Sequence, residues 1–378
     1  RGVICAAANA AEVASVAGVE ARAASTLKEI VAALNGGDWP SMAPTSASEY
    51  TPELVRDWSD VRGQSHAKRA VEVAAAGGHN VVMTGSPGCG KTMLARRVST
   101  ILPPLSASEA LEVTKVYSVA GLLPAGAGLV RHRPFRAPHH TGSATSLVGG
   151  GSFPRPGEVS LAHCGVLFMD ELPEFPRSVL ETLRQPLEDG HVTVARARTV
   201  VQFPSRTMLI AALNPCPCGY LGSKRRACTC SEVQIRRYAA RLSGPLLDRI
   251  DVQIELEPLA TSELQTKRRG ESSASVRKRV VAARLRQYTR FGEAGWSNAT
   301  APMPELRTLC PLSKPVHDLL LEAIDQFALS PRAHDRIWRV AATIADLEQV
   351  DEVSVAHIAE ALGYRHFDKP HATTRSVL

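Results

Sequence analysis

The sequence predicts an α/β fold with a parallel sheet, followed by an all-helical domain, and three observations carry that expectation. A short apolar, β-prone run, Val81-Val82-Met83-Thr84, enters a glycine-rich loop, Gly85-Ser86-Pro87-Gly88-Cys89-Gly90-Lys91-Thr92, and continues with helix-like spacing at Met93, Leu94 and Val98. Further apolar runs at 166–170 and 207–213 alternate with helical stretches, the pattern of strands buried on both faces and joined by right-handed crossovers. Beyond Pro258 the apolar period becomes helical and stays so.

From the N-terminus, 3–6 and about 19–23 read as strands and 25–34 as a helix stopped by Asn35-Gly36-Gly37. Residues 1–38 thus form a short α/β unit, the tail end of a larger domain. Arg1 stands where Met would open a chain and no basic-then-apolar signal segment follows, so a fragment or processed chain is expected. Residues 39–51, rich in Ser, Pro and Thr, read as a linker. A nucleotide-binding domain is expected over 52–258, with a helix over 173–187. The all-helical domain, 259–378, opens with an amphipathic helix at 274–291 whose apolar face is Val276, Val280, Val281, Leu285 and Tyr288. Helices at 315–327, 331–348 and 355–362 follow, each opened by a Ser or Pro start signal.

The hydrophobic fraction of 44% and charged fraction of 21% are those of a globular protein. No apolar run approaches the roughly 18–20 residues that span a bilayer, so no membrane partner is expected. Four of the eight cysteines fall in two Cys-x-Cys pairs, which beside a nucleotide loop points to a reducing, cytoplasmic setting. The net charge is +7, and residues 261–300 hold nine Lys/Arg against three Glu, a local +6. Such a block is either a solvated helix face or a track for a phosphate backbone.

The chemistry follows from residue types. Glycines let backbone N–H groups wrap a polyphosphate, Lys91 reaches the β/γ-phosphates, and the Thr92 hydroxyl holds Mg²⁺. The run at 166–170 ends in Asp170-Glu171. At the C-terminal end of a parallel strand, Asp170 can help hold Mg²⁺ and Glu171 can polarise an attacking water. Alternatively the pair caps the following helix. Asn214 ends the next strand, where its amide can bond the γ-phosphate or the water, or simply form an Asn-Pro turn. Ser243-Gly244-Pro245-Leu246-Leu247-Asp248-Arg249-Ile250-Asp251 places Arg249 either in a pair with Asp248 or Asp251, or as an arginine finger for a neighbouring subunit. Cys216-Pro217-Cys218 and Cys228-Thr229-Cys230, nine residues apart, supply four thiolates for a tetrahedral structural Zn²⁺ within an insertion at 214–232. Free thiols or a redox pair are the alternatives. Lys224, Arg225, Arg226, Arg236, Arg237 and Arg241 surround this cluster. A hairpin with a basic tip at Ala195-Arg196-Ala197-Arg198, and a loop carrying Arg131, Arg133, Arg136, His139 and His140, are candidates to face a pore or a subunit interface. Cys5, Cys89, Cys164 and Cys310 receive no chemistry, and His163 reads as a packed side chain.

The order of glycine loop, Asp-Glu strand, Asn strand end and Leu-Leu-Asp-Arg resembles an AAA+ ATPase, with its three-layer P-loop core and helical lid. More narrowly, Arg133-Pro134-Phe135-Arg136-Ala137-Pro138-His139-His140, Gly149-Gly150-Gly151, Pro156-Gly157-Glu158-Val159-Ser160-Leu161-Ala162-His163 and Asn214-Pro215-Cys216-Pro217-Cys218-Gly219 resemble the magnesium-chelatase-like branch. Within it they are similar to the YifB/ComM family of competence-associated DNA branch-migration motors. The resemblance implies ATP with Mg²⁺, a ring that is a hexamer, and DNA as partner. It further implies that Arg249 is the finger and that Arg332, in Ser330-Pro331-Arg332, is the second sensor, with Arg336 and Arg339 as competitors on the same helix. Family members carry an N-terminal domain resembling the Lon protease fold. Residues 1–38 match its last elements, and with no Ser–Lys pair to assign, no peptidase activity is expected. The rival functions are the ATPase subunit of a magnesium-chelatase-type metal-insertion complex and a protein-remodelling ATPase without nucleic acid.

Overall fold

The structure, a computed structural model, describes residues 2–14, 16, 18–39, 56–124, 127–151, 153–196, 199–223, 225–242, 244–258 and 270–368. The expected linker beyond Trp39, Lys224, Ser243, Lys267, Arg268, Arg269 and the hairpin tip at Ala197 and Arg198 lie outside these residues. The N-terminal unit is β1 (Gly2–Ala6), α1 (Ala10–Ala14), β2 (Glu20–Ala24) and α2 (Leu27–Leu34), with β1 and β2 paired in parallel. Thr26 caps α2 by accepting the Glu29 N–H, and Glu29 accepts in return from the Ser25 N–H.

The core begins with α3 (Ser65–Gly77) and β3 (Val81–Gly85), then α4 (Lys91–Ala95), α5 (Val98–Ile101) and α6 (Ala107–Ala120). The single helix expected after the glycine loop is therefore split. Arg97 makes a tight bond to Leu94 O, and its guanidinium is drawn to Asp60 and to the Asp57 carbonyl. A short strand β4 (Phe135–Arg136) and helix α7 (Ala144–Val148) precede a two-residue hairpin, β5 (Gly149–Gly150) with β6 (Arg155–Pro156). A Cβ on Gly149 would lie 2.4 Å from Arg155 O, and its φ is +96°, so only glycine lets the hairpin close this tightly.

After α8 (Glu158–Leu161) comes β7 (Val166–Met169), and the helix expected over 173–187 is broken into α9 (Arg177–Thr182) and α10 (Arg184–Asp189). Pro186 is the reason: it has no N–H for Thr182 O, so the ladder cannot run through. A hairpin of β8 (His191–Arg196) and β9 (Thr199–Pro204) is antiparallel, as expected. The core closes with β10 (Met208–Leu213), α11 (Glu232–Ala239), α12 (Gly244–Leu247) and β11 (Val252–Leu256). The sheet order is β11-β3-β10-β7-β4, all parallel.

Among the described residues the α-helices that follow are α13 (Ser273–Phe291), α14 (Met303–Leu309), α15 (Lys314–Phe327), α16 (Pro331–Leu347) and α17 (Val355–Gly363). The buried face of α13 is Val276, Val280, Ala283, Gln287 and Phe291, whereas Val281, Leu285 and Tyr288 are exposed. The expected face was rotated because a polar Gln is on the inside. Its amide donates to Ala76 O and accepts from Asn298 N–H, so its burial is compensated. One hydrophobic cluster runs from Trp58 and α3 through Val81, Ile210 and Ile254 to Val276, Ile337, Ile358 and Tyr364. The helical region and the core domain thus share one interior. The alanines of α3 (Ala67, Ala70, Ala74, Ala75, Ala76), all buried, allow α13 and α16 to approach closely.

Candidate functional site: a phosphate cradle at the C-terminal sheet edge

Strand register brings the chemistry together. Leu213 pairs with Thr84 and Ala211 with Met169, so the residues that follow β3, β10 and β7 emerge side by side at one edge. Lys91 Nζ donates to Gly85 O (2.5 Å), Ser86 O (3.2 Å) and Asn214 Oδ1 (3.2 Å). Thr92 Oγ1 donates to Asp170 Oδ2 at 2.8 Å. Burial lowers the Lys91 pKa, opposed by Cys89 and Asp170. Thr92 and Asp170 offer only hard oxygens, the donor type Mg²⁺ takes. Cys89 is buried as a filler within the loop.

Glu171 takes a left-handed backbone, φ +52°, rare for a side chain of this size and concentrated at functional sites. Its N–H is held by Asp170 Oδ1 at 3.0 Å. Its carboxylate is half exposed and lies 3.4 Å from His140 Nδ1; the His139 and His140 ring centroids are 4.2 Å apart, with the rings tilted by 32°. His140 therefore belongs to the rim of the cradle. Its neighbours in the supposed gripping loop are structural. Arg133 bonds Glu109 and the Cys164 carbonyl, and Arg136 makes a forked pair with Glu158 at 2.6 and 2.7 Å from within β4. The alternation of Arg with Pro in this segment concealed an edge strand.

Two other expected residues lie elsewhere. Val252 pairs with Val81, so the turn before β11 sits at the N-terminal edge, roughly 13 Å of strand from Gly85 at about 3.3 Å per residue. Arg249 is there, its side chain 8% exposed and paired with Glu188, not with Asp248 or Asp251. Its Nε has no partner among the described residues. Arg332 is 63% exposed and 3.5 Å from Asp248, at the same edge. Its competitors are committed: Arg336 pairs with Asp251 at 2.7 Å and Arg339 donates to the Asn298 and Ala299 carbonyls. Burial opposes ionisation of Asp251, but the Arg336 charge and the hydrogen bond to His79 hold its carboxyl far below the usual range. A cavity of about 400 Å³ also opens at this edge, lined by Gly78, Arg133, Glu188, Arg206, Arg284 and Trp296. It is distinct from the open cradle at the other edge.

The four cysteine sulfurs lie within 4.8 Å of one another. Three separations are 3.4, 3.6 and 3.6 Å, near the roughly 3.8 Å edge of a tetrahedron with Zn–S bonds of about 2.3 Å. The Cys218 N–H reaches Cys230 Sγ at 3.3 Å; the Thr229 N–H holds the Cys218 thiol below its ordinary pKa, whereas burial and the neighbouring sulfurs push Cys228 and Cys230 up, so the four crowded thiols need a cation to become thiolates together. The residues fit a structural Zn²⁺.

Much of the expected basic surface is occupied. Arg241 pairs with Glu174 and Arg226 lies 4.5 Å over the Tyr220 ring. In the block at 261–300, Arg279 pairs with Glu72 and Glu271, Arg286 with Asp351, Arg290 with Asp346, and Arg277 donates to Thr100 O. The solvated-face and structural readings hold for these. Sequence reasoning overlooked Phe153, 84% exposed at the turn between β5 and β6, next to the exposed Arg155. The signal was an aromatic residue bracketed by Gly149-Gly150-Gly151 and Pro154-Arg155-Pro156.

A strand lies between the glycine-loop strand β3 and the Asp-Glu strand β7, and β10 in that position delivers Asn214 to Lys91. This arrangement, with the helical region behind it, defines an AAA+ ATPase core. Comparison gives the narrower class: the chain belongs to the magnesium chelatase subunit ChlI family, whose sequence profile matches residues 57–264, with the ChlI C-terminal profile at 270–365. It is 45% identical over 371 residues to the competence protein ComM of Haemophilus influenzae, covering 97% of this chain and 72% of that protein. It is 44% identical over 376 residues to YifB of Salmonella typhimurium, covering 98% and 72%. YifB of Escherichia coli is 45% identical over 329 residues, 86% of this chain and 63% of that protein. Among the described residues no helix is long and apolar enough to cross a membrane.

Proposed function

We propose that this protein is an ATP-hydrolysing ring motor that moves on DNA, in the manner of a branch-migration helicase. The observation that carries the reading is the division of the machinery between two edges of one sheet. Lys91, Thr92, Asp170, Glu171 and Asn214 stand at the C-terminal edge, while Arg249 and Arg332 stand at the opposite one. Neither arginine can serve its own chain's phosphates, so each serves a neighbour's, and a ring, taken as a hexamer, satisfies every site. The unpartnered Nε of buried Arg249 is what a group that exchanges Glu188 for a neighbour's phosphate would leave in the isolated chain.

In this reading the glycine-loop N–H groups and Lys91 bind the polyphosphate of ATP. Thr92 and Asp170 hold Mg²⁺, which supplies charge neutralisation on the phosphates. Glu171, set by its left-handed backbone and near His140, orients the attacking water and accepts its proton. Asn214 reports the γ-phosphate to β10. The Arg249 guanidinium of the neighbouring subunit stabilises the developing charge, an effect worth roughly 10³–10⁵ in rate. Exposed Phe153 with exposed Arg155 offers what a sequence-tolerant motor uses: an aromatic face for bases and a cation for phosphates. The competence name of the ComM relative agrees with DNA as the substrate.

The ChlI profile itself keeps a second reading in view, an ATPase subunit of a metal-insertion complex; a protein-remodelling ATPase is the third. The test is the steady-state ATPase rate with and without forked or single-stranded DNA across a salt series. The motor is stimulated, and its DNA affinity falls with a log–log slope of about 0.7–0.9 per phosphate contact. A rate indifferent to DNA with a flat salt dependence rejects the DNA reading in favour of the other two.

A further inference from the structure

The loop that holds the four cysteines has almost no interior of its own. Among the described residues of 215–230, only Cys216 and Gly219 are buried. A segment without an apolar core needs a staple to keep one shape, and the four convergent sulfurs provide its donor set. The buried non-cysteine is the informative one. A Cβ built on Gly219 would lie 2.6 and 2.7 Å from Cδ and Cγ of Pro87, in the phosphate loop, and 3.8 Å from Cγ of Asn214. Gly219 therefore sits wedged between the loop that cradles phosphate and the amide that contacts Lys91. Its N–H donates to Cys216 O at 2.9 Å, which ties it to the first cysteine, two residues beyond Asn214. The far end of the loop runs into α11, where Tyr238 lines the same small cavity as Asn214 and Pro215. The cysteine loop thus leaves from Asn214, leads back beside it through α11, and packs against Pro87.

We propose that the four-cysteine loop is a positioning element of the ATP site, with Gly219 transmitting the loop's metal-held shape to Pro87 and Asn214. This rests on the reading of Gly85–Thr92 as the nucleotide site, but assigns the cysteines to that site and not to DNA. Gly219 is a positioning residue: it shapes the cradle without touching nucleotide.

The fold supplies its own control. Gly222, three residues on, has φ +75° against +83° for Gly219, yet a Cβ there meets nothing within 4 Å. Gly222→Ala therefore carries the same left-handed strain without the collision. The experiment measures binding of a fluorescent ATP analogue with Mg²⁺, and zinc per chain, for the wild type, Lys91→Ala, Gly219→Ala, Gly222→Ala, Pro87→Ala, Pro87→Ala/Gly219→Ala and Cys228→Ser. Gly219→Ala is expected to weaken nucleotide binding on the order of tenfold or more, as an ångström-scale misplacement does, while Gly222→Ala stays within about twofold of the wild type. Removing Cγ and Cδ of Pro87 makes room, so the double variant should bind about as Pro87→Ala does. Cys228→Ser should lose metal and nucleotide affinity together. Equal effects at Gly219 and Gly222, a double variant no better than Gly219→Ala, or metal loss with unchanged affinity would each overturn the proposal. Wild-type binding that does not depend on Lys91 would instead overturn the nucleotide-site reading beneath it.

Discussion

Glu171 shows how much of this protein's chemistry is decided by single backbone conformations. A left-handed φ on a glutamate costs on the order of 1–3 kcal/mol, and here it accompanies a carboxylate that lies beside His140. The role proposed for it is separable from binding. Glu171→Gln keeps shape and hydrogen bonding but removes the base, so nucleotide affinity should persist while turnover falls by about 10² or more; unchanged single-turnover hydrolysis would remove Glu171 from the mechanism. Phe153 poses the complementary question for DNA. If bases stack on it, Phe153→Ala weakens single-stranded DNA binding by about 1–3 kcal/mol, measurable by anisotropy, and equal affinity would exclude stacking there. The juxtaposition of Lys91, Thr92, Asp170 and Asn214 was legible because each belongs to a local string whose types have one good use together. Arg249's partner was not: Glu188 is 61 positions away, and nothing near Arg249 in sequence points to it.

At the scale of elements, local rules placed the strands well and broke down where a proline or a distant partner intervened. Buried runs such as 81–85 and 208–213 need only hydrophobicity and β-propensity to be recognised. The break before Pro186 follows from the missing proline N–H, whereas the break at Arg97 and the inward-facing Gln287 go with bonds to Asp60 and Ala76 that no helical period reveals. Asp57 is a further case. It accepts from the Ser59 N–H (2.9 Å) and from the Ser273 N–H (3.1 Å), so one carboxylate caps the turn that opens the core domain and also secures the start of α13. Bonding from Ser59 is the largest cause that lowers its pKa to about 2. A depressed carboxylate contributes stability that is present above its unfolded pKa of about 4 and lost as pH falls toward the folded value. The melting temperature should therefore drop between about pH 4 and 2, and Asp57→Asn should flatten this part of the pH dependence while lowering stability at neutral pH. An identical acid limb in the variant would show that Asp57 plays no such part.

For the whole molecule, the shared interior of core and helical region fixes α16, and with it Arg332, against the N-terminal edge of the sheet. The His79–Asp251–Arg336 contacts, buried at this junction, reinforce that placement. The change in apolar period near 258 was easy to read in the sequence. The single core running across it was not, because it is built from alanines of α3 that carry no strong hydrophobic signature. On the proposed reading, each chain presents half of an ATP site at each of two opposite edges and completes neither alone. The most direct test mixes two inactive variants, Lys91→Ala, which lacks the cradle, and Arg332→Ala, which alters an exposed side chain with no part in the core. If the two halves come from different subunits, each variant alone hydrolyses ATP poorly. An equimolar mixture then recovers roughly a quarter of the wild-type interfaces, as random assembly around a head-to-tail ring requires. A mixture no more active than its components, or an Arg332→Ala protein as active as the wild type, would contradict the shared site.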